Sequence, residues 1–293
     1  MKTNETTISG GAPPVALTVA GFDPGSGAGI TADLKVFAAH GLFGVSAITA
    51  LTVQSTQGVR RVEPVAGALL RETLDCLAAD VEIAGVKIGM LGSTEVTEAL
   101  AGFLAASGIP RSRVVLDPVL RSSSGKALLE EAGVRLLREK LLPQVGWVTP
   151  NLAELAVLTG LPEPAQPAEI PEAARALARM AAETGRAAAG EAGLHVVVTG
   201  GHLDRPDDFL LAANGEERWF PGTRVETSAT HGTGCAFSSA LLSRVLLGDG
   251  PVEAVAGAKA YVRAAMKAAY PIGKGRGPMH HLYALEPKAG EGR

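Results

Sequence analysis

From about residue 15 onward, short apolar runs alternate with helix-length segments, and no other feature of the chain restricts its fold as much. Residues 15–21 (VALTVAG) read as a strand, the polar turn at 23–29 breaks it, and a helix over 30–40 follows, stopped by Gly41. The rhythm then repeats. Strands are expected at 45–53, 83–88, 113–117, 146–149 and 195–199, and helices at about 66–79, 93–107, 126–140, 151–159, 172–188, 236–247 and 251–269. Residues 209–212 and 217–220 flank Asn214-Gly215, a strong hairpin signal. Strands separated by helices of this length make βαβ units, so the expected architecture is α/β: three layers, α/β/α, around a central mainly parallel sheet with a small β-hairpin addition. One domain over 15–286 is expected, with a disordered tail at 1–14 and a short C-terminal tail at 287–293.

Composition narrows the partners. A formal net charge of -3 with no basic cluster argues against nucleic acid and against an anionic membrane surface. Only Cys76 and Cys235 occur, too few for a disulfide framework or a paired-cysteine metal motif. The first residues are polar and lack the apolar stretch of a signal peptide, and no run of about 18 apolar residues occurs anywhere. A cytoplasmic protein acting on small molecules is the expectation.

In parallel sheets ligands sit at the carboxyl ends of the strands, and the glycine and polar clusters of this chain fall mostly there. The sharpest is Thr230-His231-Gly232-Thr233-Gly234-Cys235, directly before an amphipathic run. A Gly-Thr-Gly turn at a helix start gathers unpaired backbone N–H groups at the positive end of the helix dipole, where phosphate or developing negative charge is stabilised. Cys235 stands at that helix mouth, a position expected to lower a thiol's pKa; the bland alternative is a small buried cysteine beside an ordinary glycine loop. Walker A is absent, because Gly125-Lys126 and Gly273-Lys274 lack a following Ser or Thr. Gly25-Ser26-Gly27-Ala28-Gly29 does not have dinucleotide-fold spacing either. Asn151 and Glu154 read as a capping arrangement or as an amide and carboxylate facing one site, where Glu154 would orient Mg2+. Asp117, at the end of a buried strand, is a second hard-oxygen candidate or a turn cap.

Taken together, the blocks AGFDPGSGAGITADLKVF (20–37), KIGML (87–91), VTPNLAE (148–154), TGGH (199–202), THGTGC (230–235) and GKGRGPMHH (273–281) resemble the ribokinase-like superfamily. Within it they are most similar to the hydroxymethylpyrimidine and phosphomethylpyrimidine kinases of thiamine biosynthesis, in which Cys replaces the aspartate common elsewhere. The resemblance runs from about Val15 to about Leu285. It implies transfer of a phosphoryl group from ATP, with Mg2+, to the pyrimidine's hydroxymethyl group, and for many members a second transfer to the monophosphate. Carried over by position, Gly21, Asp33, Gln54, Met90 and Val119 would line the aminopyrimidine pocket. Cys235 would act as base, with Gly232, Thr233 and Gly234 forming the anion hole. Asn151, Thr199, Gly201, Thr230 and Lys274 would hold the nucleotide, and Glu154 and Asp117 the metal. The resemblance also implies a homodimer, with the strands near 42–53 as a candidate interface. A pyridoxine or pyridoxal kinase on the same scaffold is the alternative enzyme, and a non-catalytic pyrimidine sensor the alternative of another class.

Overall fold

The computed structural model describes residues 11–122, 125–184, 193–201, 203 and 205–285. Most of the expected N-terminal tail, the C-terminal tail, residues 185–188 of the expected sixth helix, and His202 lie outside the described residues. Nine strands form one sheet: β1 (Val15–Phe22), β2 (Phe43–Ser55), β3 (Gly58–Pro64), β4 (Ile83–Ile88), β5 (Val114–Leu116), β6 (Trp147–Val148), β7 (His195–Val198), β8 (Asp208–Leu211) and β9 (Glu217–Phe220). Their order is β3-β2-β1-β4-β5-β6-β7-β8-β9. The six central strands pair in parallel, and β3, β8 and β9 pair antiparallel at the edges.

The helices are α1 (Gly29–Ala39), α2 (Gly67–Asp80), α3 (Thr94–Ser107), α4 (Glu131–Leu136), α5 (Leu152–Thr159), α6 (Ile170–Thr184), α7 (Thr233–Leu246) and α8 (Pro251–Lys267). Period-two alternation along the strands divides the core between the two faces. Leu17, Val19, Val114, Leu116, Val196 and Val198 pack with Leu70 of α2, Leu100 of α3, Leu155 of α5 and Leu177 of α6. Ala16, Val115 and Val197 point the other way, onto Phe37 of α1, Leu241 of α7 and Val255 of α8. Each large apolar side chain buried in these layers contributes about 1.5–3 kcal/mol. No helix among the described residues is long and apolar enough to cross a membrane.

The expected α/β/α architecture is present, with three differences of detail. β3 was not expected: its pairing with β2 slips between Val53 and Gln54, a bulge that breaks the alternation by which a strand is read. The Asn214-Gly215 hairpin forms, but β8 pairs with β7, so it extends the main sheet instead of standing apart. The helix expected over 126–140 begins at Glu131 and continues as a π-helical turn over Leu137–Leu141.

A polar axis crosses this apolar interior. Lys87, in the middle of the otherwise apolar β4, is fully buried and reaches both Asp33 oxygens of α1 at 3.1 and 2.9 Å. Asp33 also accepts from Thr18 of β1 at 2.6 Å and Ser239 of α7 at 2.7 Å. Burial works against the ammonium, yet Asp33, Cys235 and Asp117 outweigh it and hold the Lys87 pKa above the usual lysine value. Truncating one member of such a pair strands the other's charge in low dielectric. Asp33→Ala is therefore expected to lower the unfolding free energy by about 3–5 kcal/mol, measured by chemical denaturation. A loss below about 1 kcal/mol, the range of an exposed pair, would contradict this reading.

Candidate active site

α7 begins with Gly232 in the left-handed region (φ 80°), and no side chain caps it. A Cβ there would lie 1.9 Å from the Gly27 carbonyl oxygen, so only glycine lets the turn before α7 nest against the β1–α1 loop. The first-turn amides of Thr233, Gly234 and Cys235 have no partner within the helix and point outward from its positive end. The Gly29 amide, at the start of α1, reaches Cys235, so two helix N-termini converge on the thiol.

The Cys235 environment corrects one expectation. Instead of a lowered pKa, burial pushes the thiol up to about 12; Lys87 pulls it down, while the Asp117 and Asp33 carboxylates raise it further. Desolvation and neighbouring negative charge outweigh the helix mouth. In the free protein Cys235 is a thiol.

Asp117 follows β5 and is buried; its Oδ2 accepts from Ser238 at 3.2 Å and faces Gly234, 3.6 Å from where that residue's Cβ would stand. Glu154 is buried in the first turn of α5. Its carboxylate accepts from the Asn151 amide at 3.0 Å, and Asn151 Oδ1 accepts from the Glu154 amide at 2.9 Å. The capping box of the bland reading thus exists, and it aims the carboxylate inward. Burial pushes Asp117 up to about 6, with Lys87 opposing, and pushes Glu154 up to about 8, with Asp117 adding repulsion. Two enclosed carboxylates short of positive charge make a donor set suited to a hard divalent cation. Among the described residues no third His, Cys, Asp or Glu joins them, so the remaining ligands would come from phosphates or water.

The expected pocket residues divide. Gly21 closes β1 beneath Met90, whose Cε would be 2.3 Å from a Cβ at that position. Thr49 donates to the Met90 carbonyl at 2.5 Å and holds it there. Val119 follows Asp117 in a tight turn, its amide donating to the Asp117 carbonyl at 2.8 Å. Gln54, near the end of β2, lies 3.0 Å from His231. Asp33 does not fit the expected role: four donor contacts occupy its carboxylate and it has no exposure, so it meets no ring substituent. Of the residues expected to hold the nucleotide, Asn151 and Thr199 form a parallel bridge beside exposed Gly201, and Thr230 stands two residues before Gly232 at the start of α7. Lys274 is exposed on a loop whose amides bond Thr56 at the β2–β3 turn, beside Gln54 rather than Asn151.

Four contributors were missed from sequence. Asp23 accepts from the amides of Gly25, Gly27 and Ala28 and so builds the β1–α1 loop. Burial pushes its pKa up, but His231 and those amides outweigh burial and hold it below the usual carboxylate value. Lys87 was legible as a lone cation in an apolar strand. Ser238 and Ser239, three and four residues after Cys235, share its helix face.

Asp117 and Glu154 titrate higher in the folded chain than in the unfolded one, so the folded state binds more protons. Their stabilising contribution is present at low pH and is lost as pH rises through about 6 and then about 8. Thermal melts in chelator are expected to show the melting temperature falling across that window, and Glu154→Gln is expected to remove the upper part of the fall. A flat wild-type profile would contradict the assignment.

A family model described as phosphomethylpyrimidine kinase matches residues 23–280. A hydroxymethylpyrimidine/phosphomethylpyrimidine kinase of Rhizobium meliloti is 42% identical over 272 residues, covering 92% of this chain and 97% of that protein. The crystal structure of a phosphomethylpyrimidine kinase from Clostridium difficile superposes with a TM-score of 0.73 at 31% identity, covering 87% of this chain and all of that one. An ADP complex of Bacillus subtilis pyridoxal kinase gives a TM-score of 0.80 at 28% identity, covering 93% and 99%. With the family match spanning the β1–α1 loop, the paired carboxylates and the Gly232–Cys235 turn, the chain belongs to the phosphomethylpyrimidine kinase family.

Proposed function

We propose that this protein transfers the γ-phosphoryl group of ATP, with Mg2+, to the hydroxymethyl oxygen of 4-amino-5-hydroxymethyl-2-methylpyrimidine, and then phosphorylates the monophosphate, in thiamine biosynthesis. The observation that carries this is the meeting of the α1 and α7 N-termini at Cys235, beside the Asp117–Glu154 pair. The amides of Gly232, Thr233, Gly234 and Cys235 hold the charge on the transferring group, and Cys235 collects the alcohol's proton. Such transfer depends mainly on positioning and electrostatics, so a weak base suffices. Asp117 and Glu154 would hold a divalent cation, which would neutralise phosphate charge and offset the part of the thiol's raised pKa that comes from the carboxylates, the rest coming from burial. Lys87 holds the opposite side of that field. Gly21, Met90, Val119 and Gln54 frame a recess for a flat heterocycle, its faces apolar and one edge read by an amide. Asn151, Thr199, Gly201 and Thr230 contact the nucleotide, and the reaction is cytoplasmic.

Pyridoxal kinase is the second reading, favoured by the fold likeness to the Bacillus subtilis enzyme. Steady-state turnover of hydroxymethylpyrimidine and of pyridoxal, each with Mg·ATP and with products identified by mass, separates the two. Higher kcat/KM for the pyrimidine and products carrying one and two phosphates are expected; higher kcat/KM for pyridoxal would overturn the assignment. Cys235→Ala is expected to lower kcat by about 10²–10⁴-fold, as for loss of one general base, while the pyrimidine still binds. Normal turnover by that variant would remove Cys235 from the chemistry.

A homodimer through the β2–β3 hairpin accompanies this proposal. Leu51 and Val53 of β2 are 50% and 52% exposed, and their two-residue spacing puts them on one face of that strand. Sedimentation is expected to give a dimer for the wild type and a monomer for Leu51→Asp/Val53→Asp. A wild-type monomer would exclude this interface.

A further inference from the structure

One imidazole nitrogen at the mouth of α7 faces two neighbours at once. His231 Nε2 lies 2.8 Å from Asp23 Oδ2 and 3.0 Å from Gln54 Nε2, the end of the amide that an exchange of its oxygen and nitrogen would replace by Oε1. Asp23 already accepts three backbone N–H groups, at 2.8, 3.1 and 2.9 Å, and has no hydrogen of its own to offer as a carboxylate. His231 therefore carries a hydrogen on Nε2, whether or not Nδ1 carries another. A nitrogen that donates requires the amide oxygen of Gln54 as its second partner, not the amide NH2.

The opposite end of the same amide makes the same demand. Thr52 Oγ1 lies 2.9 Å from the Phe22 carbonyl and 3.3 Å from Gln54 Oε1, the position that the same exchange gives to the NH2 group. The hydroxyl has one hydrogen, and the shorter carbonyl contact takes it. Its free lone pairs then face Gln54 and call for the NH2 group on that side. The two ends of an amide are told apart by their partners and not by their shape. Both partners here choose one orientation.

His231 itself has little freedom. Its ring packs against Gly27, where a Cβ would come within 2.5 Å of Cδ2, and its backbone amide donates to the Gly277 carbonyl at 3.2 Å. It also immediately precedes Gly232, the first residue of the anion turn.

Resting on the pyrimidine kinase reading, we propose that His231 is a specificity-determining positioning residue. Held by Asp23, it locks the Gln54 amide with oxygen toward the imidazole and NH2 toward Thr52, leaving the second N–H to donate to a ring nitrogen of the substrate. A site built around that donor favours a heterocycle with a lone pair at the matching position over one bearing C–H there.

The test combines NMR and kinetics. In the unmodified protein, 15N chemical shifts are expected to show His231 protonated at Nε2; an unprotonated Nε2 overturns the proposal without any variant. In steady-state assays with pyrimidine and ATP varied separately, His231→Leu is expected to raise the pyrimidine KM by roughly tenfold, the scale of one lost or mismatched hydrogen bond. The kcat and the KM for ATP are expected to move little. His231→Gln, whose NH2 can still donate, is expected to recover most of the affinity. In a Gln54→Ala background His231→Leu is expected to have almost no further effect, because the two act as one unit.

An unchanged pyrimidine KM in His231→Leu, failure of His231→Gln to rescue, or a full additional effect in the Gln54→Ala background each overturns the proposal. A wild type that phosphorylates pyridoxal but not the pyrimidine brings down the underlying reading as well. Turnover of the pyrimidine with uncoupled variants removes the His231 role alone.

Discussion

The fully buried ammonium of Lys87 is the charge around which the functional end of this protein is assembled. Asp33, Asp117 and Cys235 all lie within its field, and Glu154 feels Asp117 in turn. Three carboxylates so near one another in a low-dielectric interior repel unless a cation sits among them. β4 supplies one permanently. The remaining deficit, on Asp117 and Glu154, is where a divalent cation would fit.

The fold delivers these groups from different directions. Parallel strands bring Asp23, Met90, Asp117 and Asn151 to the same edge of the sheet, since each follows the carboxyl end of its strand. α7 then crosses beneath with Cys235, Ser238 and Ser239 on one face, so a single helix presents the thiol, supports Asp117 and supports Asp33. Gly27 and Gly232 interlock above it. The segments proposed to read the ring and to receive the phosphoryl group thereby adjoin.

Much of this was legible in the sequence where the signal is local. The alternation of strands and helices gave the layered parallel sheet, Gly232-Thr233-Gly234 marked the tight turn that opens α7, and Asn151 with Glu154 marked a cap that forms as read. What escaped was set by contacts distant along the chain. Lys87 meets Asp33 across 54 residues and His231 meets Asp23 across 208, pairings no local periodicity encodes. The same cause lies behind two corrections: from the sequence Asp33 reads as a pocket-lining residue and Cys235 as an activated thiolate, and burial with neighbouring charges overturns both. β3 escaped for a local reason, since its bulge interrupts the two-residue rhythm.

The central claim is that the Gly232–Cys235 amides receive the migrating phosphoryl group while the Cys235 sulfur faces the acceptor alcohol. Crystals grown with the hydroxymethylpyrimidine, Mg·ADP and aluminium fluoride test it most directly. The account predicts the planar fluoride seated on those amides, the metal on Asp117 and Glu154, and the hydroxymethyl oxygen within hydrogen-bonding reach of Cys235 Sγ. A fluoride bound elsewhere, or a pyrimidine whose hydroxymethyl group points away from that sulfur, would contradict it.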